Sequence, residues 1–313
     1  MRVVVTGGAG FIGANLVRAL CEDDRVEAVT VVDDLSTGAK ANLDGLDAAL
    51  LEGTINDADL MDEACTGVDA IVHLAARPSV PRSLEDPVAT HLANATGTLS
   101  VLEAARRAGN PHVVVASSSS VYGANPTLPK SEDLRTEPLS PYAVSKLATE
   151  TYALAYAHCF ALPVLAFRFF NVFGPLQPAG HAYAAAIPAF VDAALAGRPI
   201  PIDGDGQQSR DFTYVGSVAA VIVEALLGRL TSPEPVNLAF GSRRTILEVV
   251  DEIEEILGVT LEREHRPPRP GDVRHSQADR TRLERLVPDL EPVAFDRGLR
   301  ETVAWFQTLP QDA

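Results

Sequence analysis

Lysine, cysteine, tryptophan and long apolar runs are all scarce in this 313-residue chain. Its lysines are Lys40, Lys130 and Lys146. Acidic residues outnumber basic ones 42 to 26, a formal net charge of −16. Such a surface repels phosphate backbones and anionic headgroups, so neither nucleic acid nor a membrane is expected as a partner. The cysteines, Cys21, Cys65 and Cys159, are scattered without metal-ligand spacing or a disulfide framework. Reduced thiols and no bound metal are expected. No stretch approaches the roughly eighteen apolar residues of a membrane helix. The N-terminus enters a β-branched run without the basic and apolar segments of an export signal, so a cytoplasmic location is expected. The length suits one large α/β domain or two closely joined lobes.

What is abundant is local and ordered. The run Val3-Val4-Val5-Thr6 enters Gly7-Gly8-Ala9-Gly10-Phe11-Ile12-Gly13, and an apolar helix carrying Leu16, Val17 and Leu20 leaves it. Gly7 and Gly10 suit a tight turn that lets backbone approach a pyrophosphate. Gly13 suits close packing of helix on strand, and the helix N-terminus presents unpaired N–H groups to the phosphates. A second strand, Ala28–Val32, ends in Asp33. An acid there accepts from the adenosine ribose hydroxyls and repels a 2′-phosphate, and no arginine follows it at once. NAD is therefore expected rather than NADP.

The first half alternates strands (2–6, 28–32, 48–52, 70–74, 112–117 and 163–168) with helices (11–21, 57–65, 86–108 and 141–160). Strands apolar on both faces between helices predict a Rossmann-type, doubly wound parallel sheet. From Pro175 onward proline and glycine punctuation thickens, at Pro178, Pro188, Pro199, Gly204, Pro267 and Pro270 among others. A smaller, mixed α/β, loop-rich C-terminal lobe is expected to close over the carboxyl ends of the strands. The expected division is 1–172 for cofactor, with a returning segment near 212–240, and 173–313 mainly for substrate.

Pro141-Tyr142-Ala143-Val144-Ser145-Lys146 opens a helix with Tyr142 and Lys146 four apart on one face. A chance match to this spacing is expected only about 0.06 times in such a chain. The ammonium, beside a positively charged nicotinamide, is expected to acidify the phenol so that it can take a hydroxyl proton near neutral pH. Upstream, Ser117-Ser118-Ser119-Ser120 ends the Val113–Val115 strand, where its hydroxyls point into the cleft. His73, at a strand end, reads as a packed histidine.

These residues together resemble the extended short-chain dehydrogenase/reductase family, in its nucleotide-sugar epimerase/dehydratase branch. His73-Leu74-Ala75-Ala76, Asn171-Val172-Phe173-Gly174-Pro175 and Gly204–Phe212 extend the resemblance over nearly the whole chain. It implies NAD contacts from Gly7, Gly10, Phe11, Ile12, Gly13, Asp33, Asp34, Ser36, Thr37, Gly38, Thr54, Ile55, Leu74, Ala75, Ala76, Arg77, Asn94, Ser117, Tyr142, Lys146 and Phe169. Where relatives carry an adenine-binding Asp after the third strand, this chain has Thr54. The resemblance implies Tyr142, Lys146 and Ser118 as catalytic residues. It also implies substrate contacts from Ser79, Arg82, Ser118, Ser119, Ser120, Tyr142, Asn171, Ala185, Arg210, Arg269, Asp272 and Ser276. Asn171, Arg210 and Arg269 fall to the diphosphate of a UDP-sugar, and Asp272 to its ribose.

Dehydratases of this branch place an Asp-Glu pair where this chain has Ser119-Ser120. Eliminating water needs a carboxyl to move protons, and serine cannot supply one. A 4-epimerase needs one base and a hydride acceptor. Ser79–Ser83, Tyr183–Pro188 and Gly271–Asp279 resemble bacterial UDP-N-acetylglucosamine 4-epimerases. There a small residue at the position of Ser276 leaves room for an N-acetyl group. C4 epimerisation of UDP-GlcNAc/UDP-GalNAc, and of UDP-Glc/UDP-Gal, is the expected activity. Epimerisation of UDP-glucuronate or another nucleotide sugar is the second reading and a non-catalytic NAD sensor the third. Relatives pair two helices per subunit in a homodimer. The stripes Leu99, Leu102, Ala105 and Leu147, Tyr152, Leu154, Ala155 are expected to form that face.

Overall fold

In the computed structural model, residues 1–179, 184–268 and 274–310 are described. Twelve strands alternate with eleven helices in them. The strands are β1 (Arg2–Thr6), β2 (Ala28–Asp33), β3 (Ala48–Glu52), β4 (Ala70–His73), β5 (His112–Ser118), β6 (Val164–Phe169), β7 (Asn171–Phe173), β8 (Ile200–Asp203), β9 (Ser209–Tyr214), β10 (Val236–Leu238), β11 (Arg243–Thr245) and β12 (Arg263–Arg266). The helices are α1 (Phe11–Cys21), α2 (Ala58–Cys65), α3 (Val80–Glu85), α4 (Pro87–His91), α5 (Gly97–Arg107), α6 (Pro141–Phe160), α7 (Ala186–Leu195), α8 (Val215–Leu227), α9 (Ile246–Leu257), α10 (Thr281–Leu286) and α11 (Phe295–Thr308).

Seven strands form one sheet in the order β10-β6-β5-β4-β1-β2-β3, every pairing parallel. Strand order reverses between β1 and β4, the switch point at which an open α/β sheet leaves a crevice for ligand. Alternation along each strand sorts the core. Val3 and Val5 pack with Leu16, Leu20, Val218 and Ile222 of α1 and α8 on one face. Val4, Ile71, Val113 and Val115 pack with Met61, Leu102 and Ala153 of α2, α5 and α6 on the other.

The expected helix at 86–108 is broken in register. Between α4 and α5 the segment Leu92–Thr96 is a π-helical turn, a bulge that re-aims the side chains around it. The expected contact stripe also changes: Leu102 and Ala105 are wholly buried in the sheet-facing core. Tyr152 of the expected stripe is exposed, and Leu84, Val88, Leu92 and Val144 are exposed apolar residues outside that stripe. Five-residue and eleven-residue stretches joined by a π-turn rotate the outward face, which a uniform 3.6-residue period does not anticipate.

Beyond Pro175 the chain is more regular than its punctuation implies. α8 and β10 return to the large sheet. Phe173, Phe190, Phe212, Ile246, Phe295 and Phe306 build a separate aromatic core between β7, β9, α7, α9 and α11. Prolines at helix starts and glycines at turns punctuate short elements there without abolishing them.

Candidate active site

A cavity of about 970 Å³ runs along the carboxyl edge of the sheet, from the glycine turn to the start of α6. At one end, Gly7 has φ +73°, and an added Cβ would lie 2.6 Å from the Ala75 nitrogen. At Gly13 the Cβ would lie 2.1 Å from the Gly7 carbonyl oxygen, so this glycine admits the turn itself against the helix rather than the strand. Gly10 caps α1 without a side-chain bond. The first N–H groups of the helix are therefore left for a ligand anion.

Asp33 lies at the end of β2, 7% exposed. Its Oδ2 accepts from Ala9 N–H at 2.9 Å and its Oδ1 from Leu35 N–H at 2.9 Å. Burial raises its pKa and the two backbone donors oppose the rise. Each oxygen keeps a second lone pair, so the carboxylate can brace the turn and still accept from a ribose. Asp34, Ser36 and Thr37 continue the wall.

The strand ends β4 and β5 supply the middle of the cleft. Leu74, Ala75, Ala76 and Arg77 line it. Asn94, on the π-turn, is 1% exposed and does not. Its Oδ1 accepts from Arg77 N–H at 2.7 Å, and its Nδ2 donates to the Arg77 carbonyl at 3.2 Å and to Ser145 Oγ at 2.9 Å. Asn94 therefore shapes the wall from behind. His73 is a packed, neutral histidine between Thr6 Oγ1 (2.8 Å) and Thr98 Oγ1 (3.0 Å). Burial, then the nearby Lys146 charge, drives its pKa down to about 3.

Helix α6 is capped by Ser140, whose Oγ accepts from Ala143 N–H at 3.1 Å, with Pro141 in its first turn. Its buried residues include the polar Ser145, Lys146, Thr149 and Glu150 beside Ala143, Ala153 and Tyr156. Tyr142, Lys146, Ser117, Ser118 and Ser119 all open onto the cavity. Lys146 Nζ donates to the Ala116 carbonyl at 2.8 Å. Burial brings its pKa down to about 8. The Tyr142 phenol is raised by burial, and the Ser118 hydroxyl beside it pulls the other way. Within the protein alone, burial outweighs the Ser118 contact at the Tyr142 phenol, and the Lys146 ammonium spends its bond on a carbonyl. Ser117 Oγ turns inward, to Glu150 Oε2 at 2.7 Å.

A second cavity of about 280 Å³ adjoins the first. Asn171, Val172 and Gln177 line both. Ala185 and Arg210 line the smaller one.

Residues 3–239 match the NAD dependent epimerase/dehydratase family. The chain belongs to this family. It is 37% identical to a UDP-glucose 4-epimerase of Mycolicibacterium smegmatis, over 99% of this chain and all of that protein. Among solved structures it superposes on the UDP-N-acetylglucosamine 4-epimerase of Methanobrevibacter ruminantium, in complex with UDP-N-acetylmuramic acid. There the TM-score is 0.92, with 36% identity over 98% of both chains. It also superposes on the UDP-glucuronic acid 4-epimerase of Bacillus cereus, in complex with UDP-glucuronic acid and NAD. That match has a TM-score of 0.90 and 29% identity, over 98% of this chain and 99% of the other.

The protein is thus an NAD-dependent epimerase/dehydratase enzyme, and its residues fit the cofactor. The backbone cradle at Gly7 and Gly13 has no room for a side chain, the helix N-terminus is open, and buried Asp33 faces the cavity. Of the epimerase/dehydratase positions expected from sequence, Gly7, Gly10, Phe11, Ile12, Gly13, Thr54, Ile55 and Phe169 line the large cavity, as does Arg82. Gly38, Ser79, Ser120 and Ser276 stand outside both linings. Gly38 packs against Ala9. Ser79 caps α3, accepting from Arg82 N–H at 3.4 Å, with φ +96°. Ser276 N–H pairs with the Ser209 carbonyl at 3.0 Å. Arg269 and Asp272, and Tyr183 of the resembling segment, lie outside the described residues. Sequence reasoning missed Gly53, Asn56, Pro78, Glu85, Ala93 and Gln177 in the wall. Only Gln177, two residues past the matching segment Asn171–Pro175, had a usable signal.

Proposed function

We propose that this enzyme interconverts the C4 epimers of a UDP-hexose: UDP-GlcNAc with UDP-GalNAc first, and UDP-Glc with UDP-Gal as well. The observation that carries the reading is that Tyr142, Ser118 and Lys146 open onto the same cavity as the glycine turn. When bound, NAD supplies a two-electron hydride acceptor and donor. Tyr142 Oη takes the proton of the sugar O4 and later returns it, while Ser118 Oγ holds O4. Lys146 spends one N–H on the Ala116 carbonyl and keeps two for a ribose hydroxyl. Its charge, close to Tyr142 in sequence and space, favours the phenolate once a cationic ring adds to it. Asn171 and Arg210, with Arg269 and Asp272 by likeness, anchor the UDP. Small side chains at Ser119 and Ala185 leave the sugar room to turn between the two proton transfers.

The names of the Mycolicibacterium and Methanobrevibacter relatives support a 4-epimerase acting on neutral hexoses. A second reading, UDP-glucuronate, is favoured by Arg77: it lines the large cavity, and its buried Nε has no hydrogen-bond partner among the described residues. The Bacillus cereus neighbour acts in name on that substrate. A homodimer is proposed through the exposed apolar face of α3, α4 and α6. We propose likewise that residues 1–172, with a returning segment near 212–240, hold the cofactor and that 173–313 mainly hold the substrate.

The test is to supply UDP-GlcNAc, UDP-Glc and UDP-GlcA separately, without added cofactor, and to look for each C4 epimer. Tyr142→Phe is expected to lower turnover by about 10²–10⁴-fold. Near-normal turnover in that variant would falsify the assigned base.

A further inference from the structure

Ala9 sits in the glycine turn, wholly buried, and the protein holds both of its backbone polar groups. Its N–H donates to Asp33 Oδ2 at 2.9 Å. Its carbonyl accepts twice, from Asn42 Nδ2 at 2.8 Å and from Ala39 N–H at 3.1 Å. Gly38 lies so close to the same peptide that an added Cβ would be 2.8 Å from the Ala9 carbonyl oxygen. The loop between Asp33 and Asn42 therefore does two things. Its first part, at Ser36 and Thr37, lines the cavity. Its last part returns to grip the glycine turn from outside.

The peptide joining Ala9 to Gly10 immediately precedes the open N–H groups of α1. With its carbonyl drawn toward Asn42 and Ala39, it cannot turn that oxygen into the cradle. An oxygen there would repel phosphate, and the Gly10 N–H of the same peptide would lose its bond to the Gly7 carbonyl at 3.2 Å, which closes the turn. Release of the grip would loosen the turn and the adjoining wall together. We propose that Asn42 is a positioning residue for the coenzyme: its side-chain amide latches the 34–42 loop onto Ala9, and opening of that latch sets how fast NAD leaves. The proposal depends on NAD being the cofactor and not on which sugar is turned over.

The experiment compares wild type with Asn42→Ala and Asn42→Asp. Each protein is loaded with NAD and diluted, and the NAD retained is measured over time by filtration. Asn42→Ala deletes the donor. Asn42→Asp keeps the shape but sets a carboxylate oxygen against the Ala9 carbonyl. NAD release is expected to quicken about tenfold in Asn42→Ala, equivalent to ~1.4 kcal/mol, and further in Asn42→Asp. With saturating NAD, kcat is expected within about twofold of wild type, with the melting temperature lowered by no more than about 5 °C. Retention equal to wild type in either folded variant overturns the latch. So does a loss of kcat that saturating NAD fails to restore, because the turn would then have collapsed altogether. Retention is read directly, so inactivity toward every nucleotide sugar would overturn the substrate assignment alone.

Discussion

The ion pair between Glu150 and Arg168 offers the sharpest test of how this site is held. Arg168 on β6 donates to Glu150 of α6 through Nη2 at 2.6 Å and Nε at 3.0 Å. The side chains are 4% and 3% exposed. Ser117 Oγ donates to the same carboxylate at 2.7 Å. The guanidinium also lies over the Tyr122 ring, 4.8 Å from its centroid. Glu150→Ala would leave the guanidinium buried with no carboxylate and would strip Ser117 of its shorter bond. Breaking one side of a buried pair costs about 3–5 kcal/mol. Spread over a chain this long, that lowers the melting temperature by roughly 5–8 °C. The comparison variant is Glu150→Leu with Arg168→Met, which removes both charges at similar volume. It is expected to recover most of the loss, since a buried pair and an apolar pair of equal size differ little. Differential scanning calorimetry of the three proteins decides the matter. A drop of less than about 2 °C in Glu150→Ala would refute the argument. So would a double variant no more stable than the single one, since it would mean that packing matters there and the unpaired charge does not.

Asp211 is wholly buried on β9, where its Oδ2 accepts from Ala278 N–H at 3.0 Å. Burial pushes its pKa up to about 6 against an ordinary 3.8. The folded state therefore holds its proton to higher pH than the unfolded chain does. The associated stability is full below about 3.8 and is lost as pH rises through about 6. Melting temperatures between pH 4 and 7 should carry this slope in wild type and lose it in Asp211→Asn; an unchanged slope would exclude Asp211 as its source. Val144 is 52% exposed on α6, and Leu84 and Val88 of α3 and α4, which pack against α6, are 65% and 66% exposed. Val144→Glu is expected to shift the protein to monomer in light scattering with little change in melting temperature, and a dimer that survives it lies on another face.

Much of this was legible in the residues themselves. Strand, glycine turn, helix and second strand ending in an acid are written in order along the first 33 residues, because glycine is needed where no Cβ fits. The strands of the first half and α6 were equally plain, since period-2 and period-3.6 patterns are local. The pairing of Tyr142 with Lys146 followed from one helix turn. Where each side chain ended up was another matter. Asn94 reads like a cleft residue, but a π-turn sends it behind the wall to hold the Arg77 backbone. Leu102 reads like an interface residue, yet it is core. Burial pushes the Tyr142 phenol up and the Ser118 hydroxyl opposes it, a balance that spacing alone does not reveal. The order β10-β6-β5-β4-β1-β2-β3 and the latch between Asn42 and Ala9 join positions far apart along the chain. Amino-acid order alone determined which chemistry was present and roughly on which element. Only the packed structure decided which atoms face the cleft, because burial, helix register and long-range hydrogen bonds come from contacts that no short window of sequence contains.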